Sequence, residues 1–175
     1  MTTYGLPSRQ GMYDPRNEHD SCGIGFVVNI KGRKSHQIIT QGIEILVNLT
    51  HRGAVGADPM AGDGAGLLIQ VPDDFFRAEC AQQGIKLPVL DEYGVGVIFL
   101  PQDPDHRAKC EIITEQVVID EGQQVLGWRD VPVDSSCLGE SVKSTEPVIR
   151  QIFVGRGEDC PDVDAFERKL FVLRK

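Results

Sequence analysis

Residues 17–28, NEHDSCGIGFVV, decide how the rest of this 175-residue chain is read. A polar, turn-forming run gives way at Cys22 to Gly-Ile-Gly, then to an aromatic and β-branched segment that reads as a strand over residues 22–30. Glycine lacks a side chain to pack and loses the most backbone entropy on folding, so Gly23 and Gly25 are costly in a plain core strand. Their presence implies that something needs close access to the backbone beside Cys22.

Working outward, residues 1–21 carry turn formers at Gly5, Pro7, Gly11, Asp14, Pro15 and Asn17 and no apolar periodicity, so they read as an extended leader. Beyond the strand, KGRK reads as a turn. A helix follows from Ser35, with Ile39, Ile43 and Leu46 at helical spacing and Ile38, Gly42, Ile45 and Leu49 on an adjoining row. It is expected to end near THRG, with Gly53 as its left-handed terminal residue. Residues 53–66, GAVGADPMAGDGAG, are too glycine-rich for anything but loop, and they feed an expected strand LLIQV closed by Pro72. A helix DDFFRAECAQQG is expected next, with Asp73 as cap and Gly84 as stop. The pattern then alternates: strand YGVGVIFLP, a helix capped by Asp103 with Pro104 in its first position, and strand QVLGWRDVPV. A looser stretch over 134–147, strand VIRQIFV and a helix from about Asp162 complete the chain. This order predicts one α+β domain over residues 22–175, with helices on a mostly antiparallel sheet.

Composition narrows the functional classes. With 41% hydrophobic and 25% charged residues the chain is of ordinary globular type, and its apolar runs fall well short of the roughly 18 residues that a bilayer span needs. No membrane partner is expected. The formal charge is −8, with no run of Lys or Arg interleaved with aromatics, which disfavours nucleic acid. Five cysteines, at 22, 80, 110, 137 and 160, form no CxxC pair and no zinc-type cluster with the four histidines, so no metal is expected. An odd count without an apolar signal segment points to reduced thiols and a cytoplasmic protein, or a stromal one if the source is a plant or alga. The thiols at 80, 110, 137 and 160 read as structural, and His51 and Trp128 as core or helix-end residues. The dispersed acidic residues read as a solvated surface. GDGAG resembles a phosphate loop only superficially, because it opens a strand rather than a helix.

Cys22 is the residue with chemistry to offer. A thiolate nucleophile needs a base, and spacing pairs none of the histidines with it. Cleavage of the peptide bond before Cys22 would supply one on the same residue, an α-amine whose pKa of about 7.7 to 8.0 suits it to take the thiol proton near neutrality.

The segments CGIGF after a polar leader, HRGAVGAD and GDGAGLLIQVP, in that order, resemble the start of a class II glutamine amidotransferase domain of the N-terminal nucleophile type. More narrowly, with GVGVIFLP, GWRDVPVD, LGESVKSTEPVIRQIFVG and FERKLFVLRK, essentially the whole chain resembles the amidotransferase domain that begins the large subunit of glutamate synthase. The resemblance implies a four-layer αββα fold, of which this is the N-terminal part, and removal of residues 1–21 as a propeptide. It implies Cys22 as catalytic nucleophile and glutamine as substrate, hydrolysed through a thioester to glutamate and ammonia for transfer to 2-oxoglutarate. Arg52, in His-Arg-Gly, is implied to bind substrate near the nucleophile; on charge alone it would equally offset a helix dipole. FMN and an iron-sulfur cluster are implied for the full-length enzyme and no cofactor for this chain, with the remaining synthase domains and a small subunit or ferredoxin as partners. The family's carboxylate-binding arginine and Asn-Gly oxyanion hole lie beyond the stretch that these residues match. Two other readings stand beside this one: another class II enzyme such as an amidophosphoribosyltransferase, against which the tract from GWRDVPVD to FERKL speaks, and a non-catalytic fragment.

Overall fold

A computed structural model describes residues 8–12, 14, 23–50 and 64–175. It divides into two compact units, residues 1–68 and 69–175.

In the first unit, α1 (His36–Asn48) starts after Ser35, whose backbone is extended as an N-cap requires. It ends at Leu49, before the position expected from Gly53, which lies outside the described residues. Ahead of it the expected turn is present: Asn29 Oδ1 accepts from the Lys31 and Arg33 amides, and the Gly32 amide donates to the Asn29 carbonyl at 2.8 Å. Both apolar rows read from the sequence are partly covered: Ile39 and Leu46 of the first and Ile38, Ile45 and Leu49 of the adjoining row are half-buried, Gly42 is buried, and Ile43 is half exposed.

The strands expected at 22–30 and in LLIQV are corrections: among the described residues neither segment takes up β-structure. A strand persists only in a ladder with a covered face, and most of the apolar side chains that suggested these two lie open, Val27 and Val71 being half-buried. Ile24 is 88% exposed and Phe26 87%.

The second unit is built on a three-stranded antiparallel sheet in the order β1-β3-β2, with β1 at Tyr93–Leu100, β2 at Gln124–Asp130 and β3 at Val148–Gly155. Directly opposed residues of antiparallel strands share a face, so this register sorts the core. Ile152 and Val154, with Ile98, Val125 and Trp128, point to one face. There α3 (Pro104–Asp120) contributes Val118 and α5 (Val163–Leu173) contributes Phe166, Leu170 and Leu173. Phe153 and Tyr93, with Val95 and Leu126, point to the other face, against Phe76 and Cys80 of α2 (Asp73–Gln82). Phe153 is wholly buried and meets Phe76 edge-on, centroids 5.2 Å apart, a favoured arrangement of ring quadrupoles.

Caps set the helix boundaries. Asp103 accepts from the His106 amide at 2.8 Å and Asp162 from the Ala165 amide at 2.7 Å, as expected. Asp73 departs from its expected role. Pro72 takes the cap position, and the Asp73 carboxylate, one residue inside, accepts from the Tyr93 hydroxyl at 2.8 Å and from Arg77 Nε at 2.9 Å. Arg77 also donates to the carbonyls of Leu87 and Pro88, so α2, its trailing loop and β1 are tied at one point. Gly84, at φ +74°, is the expected stop. The loose stretch holds a 3-10 turn at Ser135–Cys137 and the single helical turn α4 (Glu140–Lys143).

Several acidic residues read as solvated surface prove to be fasteners. Glu115 accepts from Trp128 Nε1 at 2.7 Å, while Arg150, stacked 5.3 Å over the Trp128 ring, reaches Glu111 of α3 and Asp130 of β2. On the opposite face Arg129, almost fully buried, donates to Gln151 and Glu79 and lies over the ring of Phe75, leaving its Nε without a partner.

Burial, then the hydrogen bond to Asp73, push the Tyr93 hydroxyl well above its ordinary pKa of 10. A group whose folded pKa is raised contributes stability that is complete below the unfolded value and is lost as pH rises toward the folded one. Urea midpoints taken between about pH 8 and about pH 11 should therefore fall above about pH 10, and fall less steeply in Tyr93→Phe. Equal slopes in the two proteins would assign the alkaline loss to other groups.

Candidate active site

Cys22 and Arg52 lie outside the described residues, as do His51 and most of the glycine-rich loop. The structure does describe the segments that flank them. Gly23 and Gly25 run beside α1 at a separation that admits no side chain. A Cβ on Gly25 would stand 2.4 Å from Ile45 Cγ2, and one on Gly23 would stand 3.0 Å from Leu49 Cδ2. Relaxed carbon contacts are about 3.5–4.0 Å. The third residue of that helix row, Gly42, would bring a Cβ to 3.1 Å from Leu67 Cδ2, so the segment after the loop packs on the same row.

The packing has a simple geometric basis. In an extended chain, positions two apart share a side and lie about 6.6 Å apart, whereas helix positions four apart share a face about 6.0 Å apart. Gly23 and Gly25 are two apart and Leu49 and Ile45 four apart, in opposite directions, so two glycine notches meet two apolar knobs in an antiparallel arrangement. The close approach to the backbone that these glycines imply is made, at Gly23 and Gly25, by side chains of α1, a partner that the sequence does not name. The available signal was the alternation itself, which sets both glycines on one side and Ile24 and Phe26 on the other.

The other thiols are apart from one another. Cys80 and Cys160 are buried in the cores on opposite faces of the sheet, Cys110 lies on α3 and Cys137 is exposed in the 3-10 turn. Burial pushes the Cys80 thiol above its ordinary pKa, the reverse of what a thiolate nucleophile needs. An iron-sulfur centre takes four thiolates converging on one point, and these four do not fit one. No group of three or more potential metal ligands occurs among the described residues, and no helix there is long and apolar enough to cross a membrane.

Residues 22–175 match the family described as class-II glutamine amidotransferases. Over 175 residues, its whole length, the chain is 47% identical to the glutamate synthase (NADPH) large chain of Bacillus subtilis (strain 168) and covers 11% of it. It is 44% identical over 97% of its length to glutamate synthase (NADH) of Schizosaccharomyces pombe, covering 8%. Ferredoxin-dependent glutamate synthase 2 of Synechocystis is 38% identical over 90% of the chain, which covers 10% of that protein. The chain thus spans about a tenth of the length of these relatives.

Proposed function

Because the chain belongs to the class-II glutamine amidotransferases, we propose that it is the start of the glutaminase domain of a glutamate synthase, with Cys22 as nucleophile. The observation that carries the assignment is the family match itself, which begins at Cys22, the residue singled out by its Gly-Ile-Gly context. Once residues 1–21 are removed, the α-amine of Cys22 takes the thiol proton, and the thiolate attacks the side-chain amide carbon of glutamine. A carbon–sulfur bond forms, the carbon–nitrogen bond breaks, and ammonia leaves with the transferred proton. Water then hydrolyses the γ-glutamyl thioester to glutamate and restores the thiol. Arg52 binds the substrate beside the nucleophile. Relatives that use NADPH, NADH and ferredoxin all match this stretch, so its task lies upstream of the electron donor, in making ammonia for 2-oxoglutarate. FMN and an iron-sulfur cluster belong to the remaining synthase domains, which are the partners of this one. Relatives of synthase type across nearly the whole chain leave the amidophosphoribosyltransferase alternative the weaker reading.

The fold proposed with this function is the four-layer αββα sandwich. Its support is the exposed apolar alternation at Ile24, Phe26, Val28 and Ile30, the pattern of a sheet face that needs a cover. Maturation is checked directly: N-terminal sequencing of the active full-length enzyme should read Cys-Gly-Ile-Gly. An active enzyme that retains residues 1–21 would refute the α-amine as base.

A further inference from the structure

We propose that the open edge of β1 is a pairing site for one further strand of the full-length protein, a strand that follows α5 in sequence and runs antiparallel to β1. The proposal is independent of the role of Cys22. The Arg156 amide donates to the Glu92 carbonyl at 2.9 Å, which carries the ladder of β1 with β3 one pair past Tyr93 and Gly155 and shows which way each residue points. Alternation along an antiparallel ladder then turns the even-numbered residues of β1 toward β3 and the amides and carbonyls of Tyr93, Val95, Val97 and Phe99 toward the open edge. Among the described residues no hydrogen bond reaches those groups. Native sheet edges are blunted against pairing by bulges, charges or proline. The other edge, β2, carries a register shift between Val125 and Gly127 and ends in Arg129 and Asp130. β1 has no such device: YGVGVIFL is uncharged, free of proline and paired with β3 through consecutive residues without a shift, and Val97 and Phe99 are exposed beside the edge. It fits an extended, uncharged partner that sets β-branched or aromatic side chains against those two.

The chain path says which segment takes the place. β1 and β2 both run antiparallel to β3, so they are parallel to each other, and α3 carries the chain from one to the other across β3. β3 followed by α5 repeats the first two elements of that unit, and the two helices lie on one face, since Val118 of α3 and Phe166 and Leu170 of α5 meet in one core. Crossovers between parallel strands keep a right-handed sense. β3 runs opposite to β1 beneath helices on the same face, so the same sense takes the chain the opposite way across the sheet, from β3 past β1. α5 has made the first part of that shift: a Cβ on Gly94 of β1 would stand 2.6 Å from Leu170 Cδ1, so the helix rests on β1. A strand returning from α5 is parallel to β3 and antiparallel to β1, and its place is the open edge. The 175 residues span about a tenth of the glutamate synthases they match, so the full-length protein has ample chain to supply it.

Amide hydrogen exchange of the full-length enzyme, read at single residues, tests the pairing. The amides of Val95, Val97 and Phe99 should exchange as slowly as those of Gly96 and Ile98, which face β3. Fast exchange at the three odd-numbered residues beside protection at Gly96 and Ile98 marks an unpaired edge and overturns the proposal. A photo-crosslinking phenylalanine analogue in place of the exposed Phe99 then identifies the occupant. The adduct should lie within one chain and map to a segment that follows α5 in sequence. An adduct to a second copy, to another subunit or to a segment that precedes β1 overturns it. Should position 99 give no adduct, position 97 serves as the second site, and no adduct from either overturns it equally.

Discussion

With Cys22 as the proposed nucleophile, Cys22→Ala in the full-length enzyme is expected to abolish glutamine-dependent glutamate formation and to spare ammonia-dependent formation. Alanine offers no nucleophile, so no thioester forms and no ammonia is released from glutamine. Free ammonia enters after that step and needs nothing from this domain. The effect is expected to be large because the proposed covalent route is removed outright; uncatalysed attack by water on an amide has neither the thiolate nor the proton transfer proposed for the α-amine. Cys80→Ala and Cys110→Ala, which remove structural thiols on α2 and α3, should leave the ratio of glutamine-dependent to ammonia-dependent rate unchanged. Equal loss of both activities in Cys22→Ala would mark the residue as structural.

The largest effect on stability is expected at Phe153. Its ring is wholly buried at the centre of the middle strand, between Phe76 of α2 and Tyr93 of β1. Phe153→Ala removes the ring from the only side of the sheet on which α2 packs and leaves a cavity that β3, held by ladders on both edges, cannot collapse to fill. The cost is about 3–5 kcal/mol, set against a domain stability of about 5–15 kcal/mol. Urea denaturation followed by circular dichroism reads this as a lower midpoint. A shift corresponding to less than about 1 kcal/mol would show that the site repacks.

The parts of the fold legible in the sequence are those fixed by local chemistry. Asp103 with Pro104, and Asp162, each declare a helix start because a carboxylate must meet an unpaired backbone amide two or three residues on, and both do. YGVGVIFLP and VIRQIFV declare strands by composition. What stayed hidden depends on partners remote in sequence. Asp73 is drawn away from capping by Tyr93, and nothing near it in sequence announces a phenol twenty residues on. Glu111 and Asp130 look like surface until Arg150, from a third element, joins them. The Phe and Val content of residues 22–30 reads as a strand of a buried sheet, but composition does not say what covers the segment, and its glycine side lies against α1 instead of in a ladder. The role proposed for Cys22 starts from a local pattern too, a thiol beside backbone stripped of side chains.

The strand order β1-β3-β2 bears on how this unit is made. The middle strand is the last of the three in the chain, so β1 and β2 have no ladder to join until β3 leaves the ribosome. At about 5–20 residues per second, β1 waits roughly 2–10 s with an uncharged apolar run unpaired. During synthesis α2, already made and bonded to Tyr93 through Asp73, is the element at hand to shelter one face of β1, and the ladder waits for the third strand to arrive beside both neighbours.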